Sequence, residues 1–322
     1  MSSKTGMEVT IVANDGFPLA ARVFGEGPLV VVIAGAMGVP QRFYRKFAQY
    51  LAENGLRVVT FDWRGIGESA LAEDAQVSMG IWAEQDLDGV LRWARTTLQA
   101  ERTAVVGHSM GGQLVPLCES ASELSAAYFV GSQSGYWGHW SGLGRLKVMA
   151  AWHLLIPAST ALLGKLPGRL LGGGEDVPAG AAAEWARFGR HPDYILSHRA
   201  DTRERFARLT LPICFVRISD DQVAPWRAVK ALASYYRGAS VELRTLDPRA
   251  LGCRSIGHFG FFRPEPGSRA WPHALEFLRT HLTRLSPFLT PDNTVPVAPG
   301  RVARRSTCHQ HAFGLPPRQE RR

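Results

Sequence analysis

Hydrophobic and polar positions follow two rhythms along this chain, and the change from one to the other organises everything else. Near the start a period of two runs through 8–13 and 19–24, parted by Asn14-Asp15-Gly16, so a β-hairpin is expected. The run 29–34 is apolar without alternation, the pattern of a strand covered on both faces, and it ends at Gly35. Helix-like and strand-like segments then take turns. Phe43, Phe47, Tyr50 and Leu51 give helical spacing over 41–53, and 57–61 reads as a strand. Trp82, Leu87, Val90, Leu91, Ala94 and Leu98 mark one side of a long amphipathic helix over 79–98. A strand at 103–106 follows, then a helix over 110–120 and a strand at 126–130. Pro116 should kink that helix, because proline has no N–H for the carbonyl four residues back.

After residue 131 the alternation lapses for about 75 residues, too long for a plain loop. It resumes with a strand at 212–218, a helix at 225–237, a strand at 241–246 and a helix at 271–283. Short connections between alternating elements predict the α/β class: a mostly parallel eight-stranded sheet with helices on both faces. The core is expected to comprise 1–131 and 206–285, with 132–205 as a helical cap insertion. Residues 286–322, rich in proline, arginine and polar residues without periodicity, read as a disordered basic tail.

A formal charge of +9 raises the question of nucleic-acid binding. Six arginines (Arg301, Arg304, Arg305, Arg318, Arg321 and Arg322) against Asp292 and Glu320 place close to half of that excess in the tail. No nucleic-acid partner is therefore expected. Cys118, Cys214, Cys253 and Cys308 show neither a Cys-x-x-Cys pair nor metal-ligand spacing, so reduced thiols and no metal are expected. Residues 1–7 lack the apolar stretch of a signal peptide, which favours a cytoplasmic protein. The apolar stretch 148–163 contains His153 and Pro157 and is shorter than the roughly 20 residues of a span. It is read as a buried or pocket-lining helix, with no integral membrane span.

A serine hydroxyl becomes a nucleophile when a base, a group orienting that base and donors for the developing oxyanion surround it. Gly107-His108-Ser109-Met110-Gly111 fits G-x-S-x-G and stands between an apolar strand and a helical segment, the context of a nucleophile elbow. Ser109 is the expected nucleophile. His108 should point away from its hydroxyl and pack. Among ten histidines, His258 in Gly257-His258-Phe259-Gly260 follows the last strand and precedes the last helix, and is the expected base. In Ile218-Ser219-Asp220-Asp221-Gln222-Val223-Ala224-Pro225, Asp221 is preferred over Asp220 as the acid, because it stands at a strand end before a V-x-P step. The backbone amides of Met110 and, in Gly35-Ala36-Met37-Gly38, of Ala36 are the expected oxyanion donors.

The order Ser109, Asp221, His258 resembles the serine α/β-hydrolase superfamily over roughly residues 8 to 284, and Asp62-Trp63-Arg64-Gly65-Ile66-Gly67-Glu68-Ser69 is similar to the D-x-R-G-x-G-x-S segment of many members. Ala34-Gly35 replaces the family's usual His-Gly. The chain looks most like a little-characterised bacterial branch grouped with serine-aminopeptidase-like and lysophospholipase-like hydrolases. A rival reading takes Gly65-Ile66-Gly67-Glu68-Ser69-Ala70 with Asp86 as a dinucleotide fingerprint, but no helical pattern begins at Gly67.

The resemblance implies a carboxylesterase or lipase-like enzyme that uses an acyl-enzyme and no cofactor. The cap aromatics Tyr136, Trp137, Trp140 and Trp152 should favour an apolar acyl substrate. An acyltransferase using the same triad, and a non-catalytic small-molecule binding protein, stay open at this level.

Overall fold

The computed structural model describes residues 6–71, 75–172 and 174–283. The expected tail at 286–322 and Cys308 lie outside the described residues. Among the described residues the strands are β1 (Met7–Val12), β2 (Pro18–Phe24), β3 (Leu29–Ala34), β4 (Arg57–Phe61), β5 (Arg102–His108), β6 (Ala126–Val130), β7 (Lys165–Leu166), β8 (Val177–Pro178), β9 (Pro212–Ile218) and β10 (Ser240–Leu246). Eight of them form one sheet in the order β1-β2-β4-β3-β5-β6-β9-β10, while β7 and β8 pair only with each other. In the large sheet β2 runs opposite to the other seven strands, which are mutually parallel.

The apolar runs explain the layering. Val30 and Val32 join one core with Trp82, Leu87, Val229 and Leu232 from helices on one face. Val31 and Ile33 join the other with Phe47, Leu51, Leu275 and Leu278 from the opposite face. A strand covered on both sides has no polar face to alternate with. Strand order also places the site. The chain leaves β3 toward β4 on one side, then crosses back to β5 on the other. The loops at the carboxyl ends of β3 and β5 therefore part, and a crevice opens at that switch point.

Two expected helices differ in detail. The segment over 79–96 contains a π turn at Trp82–Leu87. The helix after β5 stops at Leu114 and tightens into a 3-10 turn, Val115–Leu117, so Pro116 ends the α-helix instead of kinking it.

Between β6 and β9 the chain forms a 3-10 turn (Trp137–His139), a long helix, the β7-β8 ladder and the helix Ala179–Arg190. The long helix, Gly142–Leu163, is continuous over 22 residues, with a π turn at Ala151–Leu155 just before Pro157. Its inner side buries Trp152 and Ile156, which join the same core as Phe188, Tyr194 and Ile195. Its outer side is exposed, so of the two expected readings, buried or pocket-lining, the helix follows the second: Val148, Trp152 and Ile156 line a cavity.

The Asp-Trp-Arg-Gly segment after β4 braces the fold. Arg64 holds Asp86 through Nε (2.7 Å) and grips Asp15 with both terminal nitrogens (2.6 and 2.7 Å). Asp86 is fully buried, and burial pushes its carboxyl up to about 6 against the pull of Arg64. This disposes of the dinucleotide reading, since Asp86 is spent on Arg64 and a turn, not a helix, follows Gly67. Arg64→Ala should cost about 3–5 kcal/mol, because it leaves a buried carboxylate without its counter-charge. A carboxyl with its folded pKa raised above the unfolded value stabilises at low pH and loses that contribution as pH rises through the folded value. Thermal melts should therefore show a smaller deficit for the variant at pH 5 than at pH 8.

Cys118 and Cys214 are buried and Cys253 is half-buried; all three are free thiols. Burial pushes the Cys214 thiol up to about 12, so it is no thiolate at neutral pH.

Candidate active site

Ser109 stands at the carboxyl end of β5 with φ 51° and ψ −114°, a backbone conformation that non-glycine residues rarely adopt. Its neighbours make this possible. A Cβ on Gly111 would collide with the carbonyl oxygen of Ala34, and one on Gly107 with Gly112 Cα. The glycines thus let β5, the loop after β3 and the following helix approach closely. Ser109 N donates to Val130 O at 2.9 Å, which ties the turn to β6. The backbone is held in a sharp reversal that turns the serine outward from the sheet edge.

The expected acid and base, Asp221 and His258, meet after β9 and β10. His258 Nδ1 lies 2.7 Å from Asp221 Oδ2, and both side chains are buried. The other carboxylate oxygen, Oδ1, accepts from the amides of Val223 (2.8 Å) and Ala224 (3.1 Å). Asp221 therefore cannot swing away. Asp220 braces the loop that carries His258: its carboxylate accepts from Ser255 Oγ (2.7 Å), Ile256 N (3.0 Å) and Gly257 N (2.9 Å). Burial opposes ionisation of Asp220, but these three bonds outweigh it and hold the carboxyl below its usual range.

His108 does more than pack. Ala36 N donates to Tyr44 Oη (2.8 Å), Tyr44 Oη lies 2.9 Å from His108 Nδ1, and His108 Nε2 lies 3.0 Å from the carbonyl oxygen of His258. The end groups fix the proton positions, because an amide can only donate and a carbonyl only accept. His108 carries its proton on Nε2, and Tyr44 donates to Nδ1. Full burial, with His258 close by, pushes the His108 pKa well down and keeps the ring neutral. One hydrogen-bonded chain thus ties the loop after β3, the elbow and the base loop together.

That chain changes the reading of the oxyanion loop. The amide of Ala36, expected as a donor, is already bonded to Tyr44 and is not free for a substrate oxygen. Among the described residues, the Met37 amide has no hydrogen-bond acceptor, and Met37 borders the same cavity as Ser109. Met37 therefore replaces Ala36 as the candidate for the second donor. Met110 follows Ser109 at the first turn of the helix, as expected.

Ser109 and His258 both border a cavity of about 310 Å³, with Met37, Trp152, Leu155 and Ile156 among its walls. Among the described residues no Asp, Glu, Lys or Arg lines it, and no histidine besides His258 does. Trp140 and Trp152 border it as expected, whereas Tyr136 and Trp137 do not. Gln133, in the loop after β6, was not legible as a site residue. It is 3% exposed, borders the cavity, and its Oε1 is buried without a partner among the described residues.

A family profile described as alpha/beta hydrolase fold matches residues 28–117. The comparison with curated proteins gave no match. Solved structures with the same architecture include a thermophilic esterase from Thermogutta terrifontis, at 16% identity and TM-score 0.60, covering 86% of this chain and 100% of that one. An esterase from Exiguobacterium antarcticum gives 18% and 0.60, covering 85% and 100%. Est1E from Butyrivibrio proteoclasticus, solved with ferulic acid bound, gives 15% and 0.59, covering 86% and 100%. The chain has the α/β-hydrolase fold.

Proposed function

We propose that the protein is a serine hydrolase that cleaves esters of apolar acyl groups through an acyl-enzyme. The observation that carries this reading is the 2.7 Å contact between His258 Nδ1 and Asp221 Oδ2 in the wall of the cavity that Ser109 enters from its strained turn. Ser109 Oγ attacks the carbonyl carbon while His258 Nε2 takes its proton. Asp221 keeps the other ring nitrogen protonated and stabilises the imidazolium. The amides of Met110 and Met37 receive the negative charge on the carbonyl oxygen. His258 then passes the proton to the departing alcohol, and water repeats the sequence on the acyl-enzyme. The esterase structures of the same fold support this choice of bond.

The cavity wall supports the acyl preference. A charged acyl group would lose its hydration with no counter-charge to meet, whereas each buried methylene gains about 0.8 kcal/mol, or roughly fourfold. In a p-nitrophenyl ester panel, kcat/KM should therefore rise about fifteenfold from acetate to butyrate, which adds two methylenes. A flat or falling series would refute the apolar acyl site. Adding an alcohol acceptor should leave nitrophenol release and free acid in equal amounts; an ester product in place of the acid would mark the protein as a transferase.

A further inference from the structure

We infer that the outer face of the helix Gly142–Leu163 docks on an anionic lipid surface, with its axis in the plane of the interface. The helix has two sides of different kinds. Val148, Ala151, Trp152, Leu155 and Ile156 line the cavity. Leu143 (75% exposed), Leu146 (55%), Leu154 (69%) and Leu162 (82%) stand in solvent. These four follow one another at helical spacing, allowing for the extra residue of the π turn. Together they make a continuous apolar stripe, and a stripe of this kind marks an interaction surface.

Charge selects the occupant. From residue 124 to residue 174 there is no aspartate or glutamate, while Arg145, Lys147, Lys165 and Arg169 are all exposed. Lys165 meets Asp176 at 2.7 Å, and Arg145 stacks over Trp137. A second copy of the chain would bring the same cations face to face around a two-fold axis. An anionic bilayer would neutralise them while the leucines enter the acyl boundary.

Insertion across the bilayer is disfavoured by the inner side. Trp152 Nε1 donates to Gly135 O at 2.8 Å and its ring meets Trp185 edge-on, contacts a spanning helix would have to break. Leu155 and Leu170 are each partly exposed and also border the cavity, so the apolar exterior runs into the interior. Docking would bring the cavity mouth to the layer where acyl chains reside. That last consequence rests on the hydrolase reading; the docking itself does not.

The test is co-sedimentation of the full chain with unilamellar vesicles of phosphatidylcholine alone or with one-third phosphatidylglycerol. Wild type and Ser109→Ala should both bind the anionic vesicles at least tenfold more tightly than the neutral ones. Combined Leu143→Asn, Leu146→Asn, Leu154→Asn and Leu162→Asn should lose at least tenfold in binding, with unchanged thermal unfolding and unchanged hydrolysis of a soluble short-chain ester. Arg145→Glu with Lys147→Glu should remove most of the preference for anionic lipid. Wild type that stays in the supernatant at low salt with both vesicles would overturn the inference. So would a concentration-dependent dimer that the leucine variant abolishes. Vesicle binding without ester hydrolysis would leave the docking standing and refute only the hydrolase reading.

Discussion

Ser109→Ala should lower turnover of a p-nitrophenyl ester by about a million-fold, while the protein still folds and binds the substrate. The loss is large because in the proposed mechanism the serine, base and acid act as one unit, so removing the nucleophile makes the other two useless. Ser109→Gly adds a contrast. The positive φ of 51° burdens serine but not glycine. The glycine variant should be equally inactive and yet about 1 kcal/mol more stable than Ser109→Ala. Equal melting temperatures would mean that the elbow stores no strain.

Asp221→Asn should reduce kcat by about ten-thousand-fold through the wrong tautomer of His258. The direction follows from the second carboxylate oxygen. Val223 N and Ala224 N both donate to Asp221 Oδ1, so an asparagine must turn its carbonyl oxygen toward them. Its NH2 then faces His258 Nδ1, which has to accept instead of donate. The proton moves to Nε2, the nitrogen that must be free to take the serine proton. Asp220→Asn keeps that tautomer and weakens only the bonds to Ser255, Ile256 and Gly257, so a loss of about tenfold is expected for it. Comparable losses for the two variants, measured as kcat at pH 8, would remove the distinction between an orienting acid and a loop brace.

Much of this was legible in the sequence because it is local. Gly107-His108-Ser109-Met110-Gly111 encodes the elbow within five residues, and strand-covered runs such as 29–34 announce a sheet buried on both faces. Asp221 was preferred over Asp220 because it stands at a strand end before a V-x-P step, and it is Asp221 that His258 meets. What the sequence concealed depends on contacts between distant segments. The Ala36 amide is occupied because Tyr44, from the turn before a helix, reaches back to it, and no spacing rule reports that. His108 links to the backbone of a residue 150 positions away, so only packing was expected of it. The helix over 142–163 is apolar nearly all round, and periodicity cannot say which side meets the core.

Activation of Ser109 by His258 and Asp221 can be probed without knowledge of the substrate. A fluorophosphonate serves, because only an activated serine displaces fluoride from phosphorus. Stoichiometric labelling of the wild type on Ser109, identified by peptide mass, is expected, with none on Ser109→Ala and slowed labelling of Asp221→Asn. Well-folded wild type that resists the probe, or label found on another residue, would show that Ser109 is not the activated nucleophile.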